Sequence, residues 1–470
     1  MKELDPKDPA MREVPARRRL LPRLLAVGCL LVIVAAFLLP RVQESGPSGD
    51  AVQADAVTAV RTRSAGETRV PHRRRGAEVG PPAAEIVAGK LSQFARNRHE
   101  ILQAMAAHFK VEVPEDVRRY FAAAEAGRWE EQTNLFELLK KQRQGADSPE
   151  GLKVLWGPIM EAFGVAAEAH RWPAQALLDY GHSILDSLRP GMIYVGGTDA
   201  GRFIPTLLNE TSDGERHAIF TQNAMADNTY LQYASFLYGD RLPTLTEADS
   251  QRAFQDYISD AQKRLTHDQQ FPDEPRQIRP GEDVRMADNR VQVSGQVAVM
   301  AINERLLQGL MEKNPDASFA IEQSFPFQST YAGATPLGPI MELRVQDEQN
   351  ALTRERAAQS IDYWRSAAQQ FASDPEAADS SAARQAWSKM ALEQAALLAD
   401  HKYTAEAEQG FQVATELYPA SPEAVFRYVN LLLQQNRSEE AAQVAEKGSI
   451  AAPDNQQLRS LVEQLRKVKK

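Results

Sequence analysis

The sequence predicts a mixed fold: an N-terminal membrane helix, a helical region, an α/β domain with a short parallel core, and all-α repeats at the C-terminus. Three observations predict it. Residues 24–39 form an uncharged apolar run, three short apolar runs further on each end in polar turn residues, and the C-terminal residues repeat a pattern after 34 positions. A chain of 470 residues has room for two or three such domains.

The apolar run, LLAVGCLLVIVAAFLL, predicts a transmembrane anchor at residues 20–40. It is slightly shorter than the ~20 residues that span a bilayer, but Arg23 can extend its charged end to the interface. Lysines and arginines are concentrated before the run, in a predicted cytoplasmic tail at residues 1–19. The positive-inside rule therefore predicts a single-pass membrane protein with a cytoplasmic N-terminus and its bulk periplasmic or otherwise extracytoplasmic. A cleaved signal peptide is the alternative.

Charge and composition limit the possible partners and mark a linker after the anchor. The chain has 63 acidic and 54 basic side chains, a formal net charge of −9, and no basic stripe, which argues against nucleic acid as a partner. Residues 41–84 are rich in Gly, Pro, Ser and Arg without helical or strand periodicity, so they are predicted to be a disordered linker.

Helical periodicity begins near Ala84 and predicts a helical region at residues 85–188. Apolar residues recur at helical spacing up to Phe109, and Pro114 followed by two acids indicates the start of a further helix. Residues 152–188 continue the helical pattern, with breaks predicted at Pro158 and Pro173.

An α/β domain is predicted at residues 189–348, where the periodicity changes. Apolar runs at 192–195, 217–221 and 318–321 each end in polar turn residues, and helical text follows the first two, an alternation typical of parallel strands. Residues 283–292 are predicted to form a hairpin that turns at Asp288-Asn289, and residues 341–344 a final strand.

The C-terminal residues 349–470 are predicted to be a helix, at 351–371, followed by repeats. Pro419 recurs as Pro453, and Ala407 recurs as Ala441, each after 34 residues. Small residues and prolines at these positions match the tetratricopeptide repeat, a pair of antiparallel helices. Two such repeats and a last helix at 456–468 are predicted.

Four segments carry a resemblance to a known family: GMIYVGGTDAGRF (191–203), TQNAMADNTYLQY (221–233), RVQVSGQVAVMAIN (290–303) and FAIEQSFPF (319–327). They resemble uncharacterised bacterial membrane-anchored proteins that end in tetratricopeptide repeats. More distantly, the first segment is similar to the soluble tail of multi-spanning proteins related to lipid-linked-sugar glycosyltransferases. The resemblance implies an envelope location but no activity, since a single span cannot build the membrane-embedded catalytic part of those enzymes.

Candidate ligand-binding residues follow the predicted strands. They are Asp199, Arg202, Asn223, Asp227 and Glu322. Ligands of open α/β sheets bind outside the carboxyl ends of the strands, and acids beside a guanidinium suit sugar hydroxyls, a cation or an amine. The helix that starts near Gly201 also favours an anion. The structural alternative is that both aspartates cap helices, Asn223 closes a turn and Arg202 pairs with an acid.

Candidate partner-binding residues lie on the predicted concave side of the repeats. They are Lys389, Leu392, Glu423, Phe426, Asn430 and Leu433. Three of the six are too apolar to face water without a reason. Either the helix at 351–371 fills the groove, or a partner helix does.

Two functions from different classes are therefore predicted. The leading one is a membrane-anchored scaffold or adaptor that recruits protein partners in the cell envelope through its repeats. The alternative is a subunit that binds or processes a glycan or a lipid-linked sugar at the strand ends. Neither requires a cofactor, and the sequence contains no Gly-x-Ser-x-Gly and no His-Glu-x-x-His motif.

Overall fold

A computed structural model describes residues 81–145, 148–287, 290–323, 333–343 and 351–468. The predicted cytoplasmic tail, the membrane helix and nearly all of the predicted linker lie outside the described residues, as does the predicted hairpin turn at Asp288-Asn289. Among the helices of the described ranges, none has the length and apolar character needed to cross a bilayer. The described chain is mostly helical, with a small mixed sheet.

Six helices form the N-terminal part. They are α1 (Ala83–Phe109), α2 (Glu115–Glu125), α3 (Trp129–Gln144), α4 (Glu150–Val154), α5 (Trp156–Arg171) and α6 (Ala174–Leu185). The apolar faces of α1 to α5 meet in one core, in which Tyr120, Phe136 and Ile159 are fully buried. The Tyr120 hydroxyl donates a hydrogen bond to the carbonyl of Ile159 at 3.0 Å, so this buried polar atom is satisfied.

The two predicted proline breaks have different outcomes. Pro173 separates α5 from α6, as predicted, whereas the break predicted at Pro158 is wrong. The chain turns at Leu155 instead, and Pro158 lies in the first turn of α5, where its missing N–H group has no helical carbonyl to bond.

The middle of the chain supplies all the strands found among the described residues. In order, its elements are β1 (Ile193–Gly196), α7 (Asp199–Glu210), β2 (Ala218–Thr221), α8 (Asn228–Tyr238), α9 (Glu247–Gln270), β3 (Asp283–Ala287), β4 (Arg290–Ser294), α10 (Gln296–Lys313), β5 (Phe319–Ile321), β6 (Ala334–Leu337) and β7 (Ile340–Leu343). A short 3₁₀ turn at Gln222–Ala224 follows β2.

Five of these strands form one sheet, in the order β2-β1-β5-β7-β6. Strand β1 pairs in parallel with β2 and with β5, so the predicted short parallel core is present. Strands β7 and β6 extend it in the antiparallel direction, with Gly338 in the left-handed region at their turn. The strands of the parallel core are buried, as expected for strands covered on both faces. Strand β6 was not predicted.

Residues 260–299 form a compact unit of their own, and the other described residues form a second one. In the smaller unit β3 pairs antiparallel with β4, which confirms the predicted hairpin. Arg264 donates a hydrogen bond to Glu282 at 2.7 Å, and both side chains are almost fully buried.

The C-terminal part is entirely helical among the described residues. Its helices are α11 (Arg354–Ala372), α12 (Pro375–Asp379), α13 (Ser381–Asp400), α14 (Thr404–Leu417), α15 (Pro422–Gln434), α16 (Ser438–Ala451) and α17 (Gln456–Val468). Helices α13 and α14 pack as one pair, α15 and α16 as the next, and α17 covers α16. Ser421 and Asn455, 34 positions apart, each accept a hydrogen bond from a backbone N–H at the start of the following helix.

Candidate functional site

The carboxyl ends of the parallel strands carry a buried acid, Glu322, which directly follows β5 and is 1% exposed. Its Oε2 accepts hydrogen bonds from the backbone N–H groups of Gly197 and Thr198, at 3.0 and 2.8 Å. Its Oε1 accepts from the hydroxyls of Thr198 and Tyr180, at 2.5 and 3.2 Å. Glu322 therefore ties the loop after β1 to the end of β5.

This carboxylate lies at the start of α7. Helix N-termini attract anions because their first N–H groups have no helical partner. Gly201, in the first turn, leaves room for Glu322, since a Cβ at position 201 would lie 1.9 Å from the Glu322 Cδ. Burial raises the pKa of Glu322, and the hydrogen bonds from Thr198, Gly197 and Tyr180 oppose that rise. The acidic side chain at this helix start belongs to the protein itself.

Asp227 and Asn223 hold the next loop along the sheet edge. Asp227 is the N-cap of α8 and accepts a hydrogen bond from the Thr229 N–H at 2.8 Å. The Asn223 side chain donates to the carbonyl of Gly197 at 3.3 Å, and Gln323 donates to the same carbonyl at 2.9 Å. The loops after β1, β2 and β5 are thus bonded to one another.

Asp199 lies in a different environment, near Glu168, which is not among the candidate site residues predicted from the sequence. It is the first residue of α7, whose N-cap is Thr198, and its charge acts on Glu168 of α5. Burial raises the pKa of Glu168 to about 7, and Asp199 adds to the rise, while hydrogen bonds from Arg171 and Trp172, at 2.6 and 3.0 Å, oppose it. A carboxyl group that titrates near neutrality is therefore placed next to a strand-end acid.

Arg202 points into the helical core and not toward the other strand-end residues. Its Nη2 lies 3.6 Å from Glu161 of α5, and Glu161 also pairs with Arg98 of α1 at 2.7 Å. Arg98 in turn lies 3.3 Å from Glu210 of α7. These two arginines and two glutamates are buried and balance one another in charge, so they join α1, α5 and α7. Arg98 stands in a polar stretch of α1, and hydrophobic periodicity does not single it out.

The five predicted ligand-binding residues therefore share a sheet edge but have different neighbours. Glu322 and Asn223 meet at the Gly197 loop, Asp227 caps α8, and Arg202 is directed elsewhere. Whether they bind a ligand stays a prediction. In the described part of the chain, no group of three or more His, Cys, Asp or Glu side chains is arranged to hold a metal ion.

Two predicted partner-binding residues are bonded to each other across the repeats. Lys389 of α13 lies 2.7 Å from Glu423 of α15 and 2.6 Å from Glu393. Arg427 also pairs with Glu423, at 2.9 Å. Burial lowers the pKa of Lys389, but Glu393 and Glu423 outweigh that effect and the net shift is upward. This network joins the first helices of consecutive repeats.

The first repeat helix, α13, is covered by other parts of the protein, and the predicted contact residue Leu392 is only 1% exposed. Gln394 donates to the carbonyls of Gly338 and Ile340 in the β6–β7 turn, both at 2.8 Å. Trp364 of α11 donates to the same Gln394 side chain at 3.0 Å. Helix α11 and the β6–β7 turn therefore lie against the Gln394 side of α13, and the occupant of the predicted groove stays a prediction.

Helix α15, the first helix of the second repeat, has a more open surface. Phe426 and Leu433 are half-buried and Asn430 is exposed, and their spacing of four and three residues puts them on one side of α15. We call these three residues the α15 face. Of the other three predicted partner-binding residues, Leu392 is buried, and Lys389 and Glu423 are bonded to charged neighbours. The α15 face is therefore the accessible part of the predicted set.

Two clefts stand out in the described part of the chain. The first, with about 430 Å³ of empty space, is lined by residues of α6, α11, α12 and α13 and by Asp374, the N-cap of α12. The second, with about 340 Å³, lies among α1, α3 and α5 and contains Trp129 and His170. Neither cleft is lined by any of the five predicted strand-end residues.

The helix pairs at the C-terminus define a helical-repeat protein module, and comparison with known families gives its type. The tetratricopeptide repeat family matches residues 397–465, from the end of α13 into α17. The C-terminal part of the chain therefore contains tetratricopeptide repeats, as predicted. No curated protein and no solved structure matches the chain.

Proposed function

We propose that the protein is a membrane-anchored extracytoplasmic scaffold or adaptor that recruits a protein partner through its C-terminal repeats. Tetratricopeptide repeats generally mediate protein–protein interaction, and the family matches residues 397–465. The observation that carries the proposal is the α15 face, where Phe426 and Leu433 remain partly exposed on the second repeat. Aromatic and aliphatic side chains in such positions are common anchors at protein interfaces.

The contacts at the strand ends favour this function over the glycan-binding alternative. The Glu322 carboxylate already accepts hydrogen bonds from Gly197, Thr198 and Tyr180, and Asp227 caps α8. These contacts account for both acids without a ligand. A sugar at the Glu322 position would have to displace buried hydrogen bonds, which is costly.

The α15 face is tested by replacing both of its apolar residues. Phe426→Ser with Leu433→Ser should abolish recovery of the partner from detergent-solubilised membranes, because the anchors are lost, while circular dichroism should show that the helices are retained. The matched control is Gln412→Ser with Glu416→Ser on the exposed side of α14. Full partner recovery by the double α15 variant would count against the proposal.

Anchoring and location rest on the apolar run at residues 24–39 and the basic residues before it. A reporter enzyme that is active only outside the cytoplasm should be active when fused after Lys470, and the fusion should stay with membranes after a high-salt wash. A soluble product shortened near residue 40–55 would show that the run is a cleaved signal peptide. An inactive reporter would place the repeats in the cytoplasm.

A further inference from the structure

The cleft among α6, α11, α12 and α13 has walls suited to a long side chain. Its floor contains Ala176, Ala367 and Trp387, all buried, and half-exposed Phe371 forms a wall. The empty space of about 430 Å³ includes space that is open to solvent, so the room between the walls is small. The cleft is therefore sized for a small group and not for a whole helix.

Aromatic rings give this cleft an apolar surface that suits the stem of a long side chain. Trp387 is 7% exposed, and its ring centroid lies 6.2 Å from that of Phe371. The aliphatic stems of lysine and arginine pack well on the same apolar surfaces.

The charged residues of the cleft also favour a lysine or arginine side chain. Asp179 and Asp374 line it, and among the described residues the lining includes no lysine, arginine or histidine. Asp179 accepts a hydrogen bond from Gln175 at 2.8 Å, and Asp374 accepts from the N–H groups of Glu376 and Ala377 as the N-cap of α12. Both acids are half-exposed, so each has accessible surface toward the cleft.

We propose that this cleft receives a lysine or arginine side chain of the protein partner. The stem lies against Trp387 and Phe371, and the cationic head lies between Asp179 and Asp374. Charge complementarity selects this occupant over an acidic or a purely apolar one. The proposal rests on the scaffold function and adds a chemically defined contact to the one on the α15 face.

Site-specific photo-crosslinking in membranes tests it. A photoreactive amino acid replaces Gln370, which lines the cleft, or Asn430, on the α15 face, in otherwise full-length protein. Mass spectrometry then locates the adduct on the partner. We expect the Gln370 adduct to fall within a few residues of a lysine or arginine.

Charge-removing variants complete the test. Asp179→Asn with Asp374→Asn should lower the Gln370 adduct yield about tenfold, since the cationic head loses both counter-charges. Asparagine is also a good N-cap, so α12 is retained. The control, Asp362→Asn with Asp379→Asn, removes the same charge from exposed positions on α11 and α12 and should leave the yield unchanged.

The outcomes separate this proposal from the scaffold function. An adduct at Asn430 with none at Gln370 overturns the cleft proposal and leaves the scaffold intact. A Gln370 adduct on a segment without basic residues, on a lipid or on a glycan also overturns it, as does a yield that ignores the loss of both aspartates. Absence of protein adducts at both positions overturns the scaffold function and the cleft proposal together.

Discussion

At the scale of single residues, three buried or half-buried acids at the strand ends and beside them are held in three ways. Glu322 is held by hydrogen bonds from a backbone loop, Asp227 by the start of a helix, and Glu168 by Arg171 and Trp172. These arrangements differ in how much the surroundings favour the charged form. Glu168 is the one whose pKa is raised into the neutral range, to about 7.

Glu168 should make stability depend on pH. The folded protein keeps a proton on this side chain between the ordinary value of 4.5 and about 7, whereas the unfolded chain releases it. The free energy of unfolding should therefore fall as pH rises through that window and level off above it. Glu168→Gln cannot ionise, so relative to wild type it should gain roughly 2–3 kcal/mol between pH 4.5 and 7.5.

Urea unfolding of both proteins at several pH values measures this difference. Glu137→Gln, at an exposed position of α3, is the matched control and should show little change of the difference with pH. A difference for Glu168→Gln that is constant over the whole range would mean that the side chain is ionised throughout.

The strand-end residues also show what sequence can and cannot predict at this scale. The sequence predicts that Asp199, Asn223 and Glu322 lie at one edge of the sheet, because they follow the ends of parallel strands. Their partners depend on side-chain directions, which the strand pattern does not contain. Arg202 shows the limit, since it follows the same strand as Asp199 but pairs with Glu161 in the helical core.

At the scale of elements, the repeats were the most predictable part. A period of 34 residues predicts both the helix pairs and their caps, because each repeat packs against its neighbours in the same way. Ala407 and Ala441 are both fully buried in the second helices, as their small size predicts. Gly410 marks another close approach, since a Cβ there would lie 2.8 Å from the Ala395 Cβ.

Ala441→Leu should destabilise the C-terminal helices. A larger side chain in α16 must push it away from α15, and overpacking typically costs about 1–3 kcal/mol. Hydrogen exchange should become faster in α15, α16 and α17, while the sheet stays protected, and partner recovery should fall. Gln443→Leu, on the exposed side of α16, should change neither. Unchanged protection in Ala441→Leu would show that position 441 is not at a tight helix crossing.

Other elements were harder to predict. The parallel strands were recognisable as apolar runs between turns, but β6 contains Thr335 and Pro336 and reads as a loop. As an edge strand paired only with β7 in this sheet, it tolerates a proline that an inner strand would not. The break predicted at Pro158 is wrong because the effect of a proline depends on its position: in the first turn of a helix it does not interrupt the helix.

At the scale of the molecule, the first repeat is built into the rest of the larger unit. Gln394 of α13 bonds to the β6–β7 turn and to Trp364, and Trp387 contacts Tyr180 of α6 with ring centroids 5.8 Å apart. Tyr180 in turn donates to Glu322 at the strand end. The sequence predicted separate segments for the helical region, the α/β domain and the repeats, and such long-range contacts leave no periodic signal in a single chain.

Because the first repeat is covered in this way, the accessible helix surface of the predicted partner site is on the second repeat, at the α15 face. The central claim is that a protein partner binds there and that the strand ends serve the fold. Positions Asn430 and Asn223 report on the two places, since Asn430 is exposed on α15 and Asn223 is half-exposed after β2.

The most direct measurement is photo-crosslinking from these two positions in native membranes, with each adduct identified by mass spectrometry. We expect a protein adduct from Asn430 and no ligand adduct from Asn223. A glycan or lipid-linked sugar attached at Asn223, with no protein attached at Asn430, would contradict the account.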